Sequence, residues 1–350
     1  MKTLLRSIKF LAIVIVVLTL VYLLGPKVAP PDLDTTLPTV TSDLHQLERE
    51  ILDREASIQN IRLDNEARIL WADSIPKRTE YSIVYLHGWS ASQKEGDPIH
   101  TETAKRYGCN LYLSRLTGHG LREEEPMLDL TADQLFQSAK EAIAIGKQLG
   151  KKVILMSTST GGTLALPLAG GDPDIAALIL YSPNVEIFDP LAKLLSKPWG
   201  LQLAQLVTGK DYHEFDNRTP LRDQYWTTKY RLEALTQLQA LLDETMVEAT
   251  FKAVTQPVFL GYYYKDDIHQ DSVVSVPAML EMFGQLGTAP HLKEKVALSN
   301  VGDHVMASYI NSKDLEAVRK ETFGFLEEVL GLHQKTSIWN KNEDMLLQGN

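Results

Sequence analysis

Seven short apolar runs, rich in β-branched and aromatic residues, punctuate the chain from about residue 60 onward: 67–71, 81–86, 111–113, 152–156, 176–181, 257–260 and 295–298. Helical patterns separate several of them, at 99–107 and at 131–149. The second opens with Thr131 and Gln134 three residues on, the spacing of a capping box. Runs that are nearly continuously apolar must be covered on both faces. Their alternation with helices therefore predicts an α/β domain with a mostly parallel sheet flanked by helices. In such sheets the chemistry gathers at the carboxyl ends of the strands, so the residues just after each run are the ones to search.

After the run at 152–156 comes Ser157-Thr158-Ser159-Thr160-Gly161-Gly162 and then an apolar helix start. This is G-x-S-x-G with serine in the first glycine position, in a strand-turn-helix setting. Small neighbours two residues either side are needed because the turn is too tight for a bulky Cβ, and Ser157 is small. In this reading Ser159 presents its Oγ as a nucleophile, with a helix N-terminus beneath it. A plain Ser/Thr/Gly turn at a helix N-cap fits the same residues. After the run at 81–86 stands His87-Gly88-Trp89-Ser90, where the Trp89 N–H is placed to join that of Thr160 as an oxyanion hole and His87 braces the loop. After 111–113 comes Arg115-Leu116-Thr117-Gly118-His119-Gly120, and after 176–181 comes Ser182-Pro183-Asn184.

With HGWS, RLTGHG, STSTGG, LYSPN and a late Gly302-Asp303-His304 in this order, residues 60–330 resemble the α/β-hydrolase superfamily. The likeness points to its monoacylglycerol lipase and carboxylesterase branch. The resemblance implies a serine hydrolase that needs no cofactor and no metal. Ser159 would attack an acyl ester, His304 would act as the base, and an aspartate would orient it. His304, following the run at 295–298, alone among nine histidines is so placed. Asp266, Asp267 and Asp271 all follow the run at 257–260. Asp271 precedes x-Val-Val and a helix start, like the family's acid loop, and lies 33 residues before His304, so it is preferred. Asp266 is the alternative, and Asp267 a further one, because this loop is some five residues longer than usual. With His269, these aspartates also read as a metal set, but a solvated loop fits them better.

The resemblance divides the chain. Residues 60–184 and 257–331 would form the hydrolase core. Residues 185–256 would be the helical lid that the family inserts there, including a long helix from about 227 to 254, and 332–350 would be a polar tail. An aminopeptidase or thioesterase would use the same triad, and a decayed, non-catalytic binding module would have to lose one of its members.

Residues 10–24 are apolar apart from Thr19 and the Tyr22 hydroxyl, and seventeen uncharged residues separate Lys9 from Lys27. That suits a short membrane span with snorkelling lysines better than a cleaved signal peptide, since no A-x-A site follows. Residues 1–27 are accordingly read as an anchor. Lys2, Arg6 and Lys9 precede the span, whereas the stretch after it up to Glu48 holds Lys27 and otherwise only acids. The N-terminus is expected to stay cytoplasmic and the body to lie on the extracytoplasmic side, with secretion after cleavage as the alternative. Residues 28–59 read as a proline-rich spacer and a short helix beginning near Leu44. Overall 35 basic residues face 45 acidic ones. With four of the cations in residues 1–27, the remaining body has a net charge of −14, which disfavours nucleic-acid binding. The single cysteine, Cys109, reads as a buried filler.

Overall fold

The strand order β1-β3-β2-β4-β5-β8-β9 defines one seven-stranded sheet in the computed structural model, which describes residues 2–335. The strands are β1 (Arg68–Leu70), β2 (Thr79–Leu86), β3 (Asn110–Leu113), β4 (Gly150–Thr158), β5 (Ile175–Tyr181), β8 (Val258–Tyr262) and β9 (Lys293–Ala297). Each apolar run of the sequence supplies one of them. All neighbours pair in parallel except β1, which lies antiparallel on β3 at the sheet edge. The expected tail from residue 332 falls mostly outside the described residues, at 336–350.

Period-two alternation divides the strands between two cores. Val84, Leu86, Leu155, Leu178 and Leu260 face one side, where α4 (Ala132–Leu149) and α5 (Thr160–Ala169) cover them and α8 (Leu232–Thr245) and α10 (Val276–Gln285) extend the same core. Ile83, Tyr85, Met156, Ile179 and Phe259 face the other, under α3 (Ile99–Tyr107) and α11 (Leu315–Glu328). Helix α4 begins with both bonds of the expected capping box, Gln134 N–H to Thr131 Oγ1 at 3.2 Å and Thr131 N–H to Gln134 Oε1 at 3.0 Å. Cys109 is buried at the entry to β3.

From β2 the chain runs outward to β3 and then returns to lay β4 on the opposite side of β2. This reversal opens a crevice between the carboxyl ends of β2 and β4, which carry His87–Trp89 and Ser157–Thr160. It is the position at which doubly wound sheets bind their ligands.

Between β5 and β8 the chain leaves the sheet. This insertion holds α6 (Gly200–Thr208), α7 (Pro220–Tyr225), α8, α9 (Glu248–Ala253) and a two-stranded antiparallel ribbon of β6 (Tyr212–Glu214) and β7 (Lys229–Arg231). The single helix expected over 227–254 does not form. Thr227-Thr228-Lys229-Tyr230 is β-branched and aromatic, and it is held extended by the ribbon and by a bond from Thr227 N–H to Ser90 O at 2.7 Å. The helix starts only at Leu232 and breaks again between Thr245 and Glu248.

At the N-terminus α1 spans Lys2–Leu23, and its Leu4–Leu23 stretch, mean hydropathy 2.4 with none of it buried, is long and apolar enough to cross a membrane. Helix α2 (Leu44–Ser57) is capped by Asp43 and buries Leu47 and Ile51. The segment between the two helices has no regular structure, as the prolines suggested, yet it is not a free spacer. Leu33, Leu37 and Val40 pack on the core beside α4, and Asp34 pairs with Lys140 at 3.1 Å.

Candidate active site

Ser159 sits between β4 and α5 with φ 53° and ψ −119°, a left-handed conformation that an L-residue adopts only when its surroundings hold it there. Those surroundings are specific. Ser159 N–H donates to Tyr181 O at 3.0 Å, and its carbonyl accepts from Gly162 and Asn184 N–H at 2.8 and 3.0 Å. Gly161 packs so closely on β2 that an added Cβ would lie 1.9 Å from Leu86 O. This is the small-residue requirement that the motif carried. Ser157 fills the other small position within β4, fully buried.

The loop after β2 is equally determined. His87 is buried and takes one tautomer: its Nδ1–H donates to Gly88 O at 2.9 Å and its Nε2 accepts Leu116 N–H at 3.1 Å. Burial, with the neighbouring His119, keeps the ring neutral by lowering its pKa. His87 thus braces the loop and offers no free nitrogen for proton transfer. His119, pushed down to about 4 by burial, packs edge-on against Trp89 at 5.6 Å. Arg115 of the same turn pairs with Glu55 from α2 at 2.6 Å, both side chains being buried.

One residue of this site went unnoticed in the sequence. Glu95, in the 3-10 turn Gln93–Gly96, is 2% exposed and accepts Gly88 N–H through Oε2. A Cβ built on Gly88 would meet Glu95 Oε1 at 2.8 Å and Ser159 Cβ at 3.0 Å, so the carboxylate and the serine crowd the same point. Burial raises the Glu95 pKa to about 7, against the lowering effect of the Gly88 N–H and of His304. The only sequence cue is an acid seven residues after Gly88, inside a polar run that otherwise reads as loop.

His304 follows β9, and its Nδ1 lies 2.6 Å from Asp271 Oδ2. Asp271 is fully buried; its Oδ1 accepts the N–H groups of Val273 and Val274 at 2.9 and 3.1 Å. Burial by itself would raise this carboxyl, but His304 and the two backbone donors bring its pKa below the ordinary value. For His304 the balance runs the same way. Burial opposes the imidazolium, and Asp271, followed by Glu95 and Asp303, outweighs it and raises the pKa.

Asp266 stands elsewhere. It accepts from Ile268 and His269 N–H at 3.0 and 2.8 Å and faces the His269 ring at 2.9 Å, in an exposed turn. Asp267 accepts the Tyr264 hydroxyl in that turn. The structure thus brings Asp271 to His304 and leaves the other two aspartates outside, so that of the four residues that had read as a metal set Asp266 and His269 stay together in the exposed turn while Asp271 is drawn away into the interior.

The insertion reaches both loops. Tyr225 and Trp226 pack on Ala91 and Val305, next to the Trp89 and His304 loops, and Arg222 reaches Asp303 at 3.3 Å.

A mostly parallel sheet with a serine on a strained strand-to-helix turn and a buried Asp-His pair on later loops has the plan of an α/β hydrolase, and the family model bears this out. The chain belongs to the alpha/beta hydrolase family, whose model matches residues 83–308. Among individual proteins, it is 30% identical over 105 residues to a thermostable monoacylglycerol lipase of Bacillus sp. (strain H-257); the match covers 30% of this chain and 41% of that lipase. In fold it is similar to a lipolytic enzyme of metagenomic origin, at 17% identity and TM-score 0.60 over 77% of this chain and 99% of the other. It is also similar to Est1E from Butyrivibrio proteoclasticus, at 17% identity and TM-score 0.53 over 76% and 94%.

Proposed function

We propose that this hydrolase cleaves carboxylic esters of acyl chains, an acyl glycerol being the first candidate, through Ser159, His304 and Asp271. The observation that carries the reading is the buried 2.6 Å contact between His304 Nδ1 and Asp271 Oδ2 in a chain whose Ser159 occupies the strained turn. With Nδ1–H committed to Asp271, His304 Nε2 is left as the base. It takes the Ser159 proton as Oγ attacks the acyl carbonyl, then returns it to the departing alcohol. Asp271 holds that tautomer and balances the imidazolium. The N–H groups of Trp89, in the loop fixed by His87 and Glu95, and of Thr160, at the free start of α5, would stabilise the oxyanion. Water then enters, activated by the same histidine, and releases the acid.

The similarity to a monoacylglycerol lipase over part of the chain favours an ester over an amide or thioester. The insertion at 185–256 serves in this reading as the lid, and α1 as a membrane anchor with the cytoplasm on the side of Lys2, Arg6 and Lys9. A fluorophosphonate probe tests the nucleophile. It should label the protein and fail to label Ser159→Ala, and undiminished labelling of the variant would remove Ser159 from this role. A series of p-nitrophenyl esters of increasing acyl length, run beside a thioester and an aminoacyl amide, tests the substrate. Faster turnover of the amide would overturn the ester assignment.

A further inference from the structure

The insertion carries an apolar face that no other part of the described residues covers. Leu203, Leu206 and Val207 on α6 are 43%, 79% and 79% exposed, and they lie four, seven and eight residues after Trp199, on one helical stripe that begins at the tryptophan itself. An uncovered stripe of this kind marks a contact surface.

Its place in the molecule identifies the partner. Trp199 is bonded to the last turn of α1 and to the residues just after it, its indole N–H donating to Val21 O at 3.0 Å and its backbone N–H to Pro26 O at 2.8 Å. Gly25 lies flat against the indole, where an added Cβ would come within 2.1 Å of Nε1. A membrane helix that ends here puts its last turn at the depth where lipid tails give way to headgroups, the level at which tryptophan is enriched. The stripe starting from Trp199 therefore begins at the bilayer surface.

We propose that the Trp199–Val207 face of the insertion lies in the headgroup layer of the same bilayer that α1 enters, giving the domain a second, monotopic membrane contact. The inference rests on reading α1 as membrane-inserted. The apolar side chains of α6 enter the acyl boundary, as interfacial amphipathic helices do. Because Tyr225 and Trp226 tie the same insertion to the loops of Ser90 and His304, the contact also holds the active site at the lipid surface.

The single cysteine is buried, so introduced cysteines can be labelled selectively. The full-length protein is reconstituted in phosphatidylcholine vesicles, with an environment-sensitive nitrobenzoxadiazole dye on Leu206→Cys or, as the control, on Glu316→Cys, whose native side chain is 81% exposed on α11. The dye at 206 should be blue-shifted and quenched at least twofold by lipids carrying a nitroxide near the headgroup, while the dye at 316 is not. Vesicle-bound protein whose dye at 206 is quenched no more than at 316 overturns the proposal. So does a blue shift that grows with protein concentration without nitroxide quenching, which would mean that a second copy covers the stripe. Protein that fails to float with the vesicles overturns the anchor reading itself and this inference with it.

Discussion

Replacing Asp271 by Asn tests the assignment of the acid, and the structure says how it should fail. Oδ1 of Asp271 is held by two backbone N–H groups, from Val273 and Val274, so the variant's amide oxygen must occupy that side and its NH2 must face His304. An NH2 at Oδ2 turns Nδ1 into an acceptor and moves the imidazole proton to Nε2, the nitrogen that has to be free to take a proton from Ser159. The base is then present in the wrong tautomer and without its counter-charge. Substitutions of this kind lower kcat by about 10⁴-fold, or about 5.5 kcal/mol in the barrier. Because the side-chain size and the two backbone bonds survive, the fold should survive as well, with a Tm close to that of the parent. The assay is kcat/KM for a short p-nitrophenyl ester, with thermal melts in parallel. Asp266→Asn, whose bonds are confined to its own exposed turn, should stay within twofold. If Asp271→Asn kept more than a tenth of the activity while Asp266→Asn lost most of it, the orienting role would belong to Asp266.

Because His304 must be neutral to act as a base and its pKa lies above the ordinary value of about 6.5, kcat/KM should fall as pH drops through a midpoint above 6.5; an acid limb centred below pH 6 would contradict the Asp271 pairing. Glu95→Gln should move that midpoint downward, since one of the negative charges favouring the imidazolium is gone; an unchanged limb would mean that Glu95 does not act on His304. The same variant should alter the pH dependence of stability. With the carboxyl near its ordinary value of 4.5 when unfolded and about 7 when folded, the native state holds the proton longer, so its contribution is full below pH 4.5 and about 3 kcal/mol of it is lost by pH 7; urea melts of Glu95→Gln should lack that decline. Ser159→Gly removes the side chain held at φ 53° and should raise stability by about 1–2 kcal/mol as activity vanishes, whereas a less stable glycine variant would show that the turn stores no strain. Gly161→Ala should cost about 3 kcal/mol, since the 1.9 Å approach is to a backbone carbonyl that cannot rotate away; a neutral effect would mean that β2 and α5 are free to part.

The parts of this fold that could be read from the sequence are those in which local pattern and global environment agree. The inner strands, buried on both faces, are nearly continuous apolar runs and announced themselves, while the edge strands β1 and β9, only partly buried, were legible from shorter apolar stretches. The turn at Ser159 announced itself because its small neighbours are required by a close approach, seen at Gly161. The aspartates resisted for a physical reason. Asp266 and Asp271 each accept the N–H groups two and three residues on, the same local turn. They differ in what the turn is fastened to. Val274, three residues after Asp271, is fully buried in the core, whereas the side chain of His269, at the same place in the Asp266 turn, is 59% exposed. Asp271 is drawn inward by its neighbour's apolar side chain, and only the x-Val-Val following it hinted at this.

Glu95 was beyond reach for the opposite reason: its partner is a backbone N–H, which no pattern of side chains records. The carboxyl ends of the sheet nevertheless hold several buried charged or ionisable groups, Glu55 with Arg115, Glu95 with Gly88, and Asp271 with His304. Leaving any one unpaired in the interior costs several kcal/mol, so each pair pins the loop it touches. The loops around Ser159 are therefore held more by paired polar groups than by apolar packing. The consequence is that truncating Glu55, Glu95 or Asp271 should loosen the site before it loosens the sheet, whose two cores lie on the faces between the strands and the helices and share no side chain with those pairs.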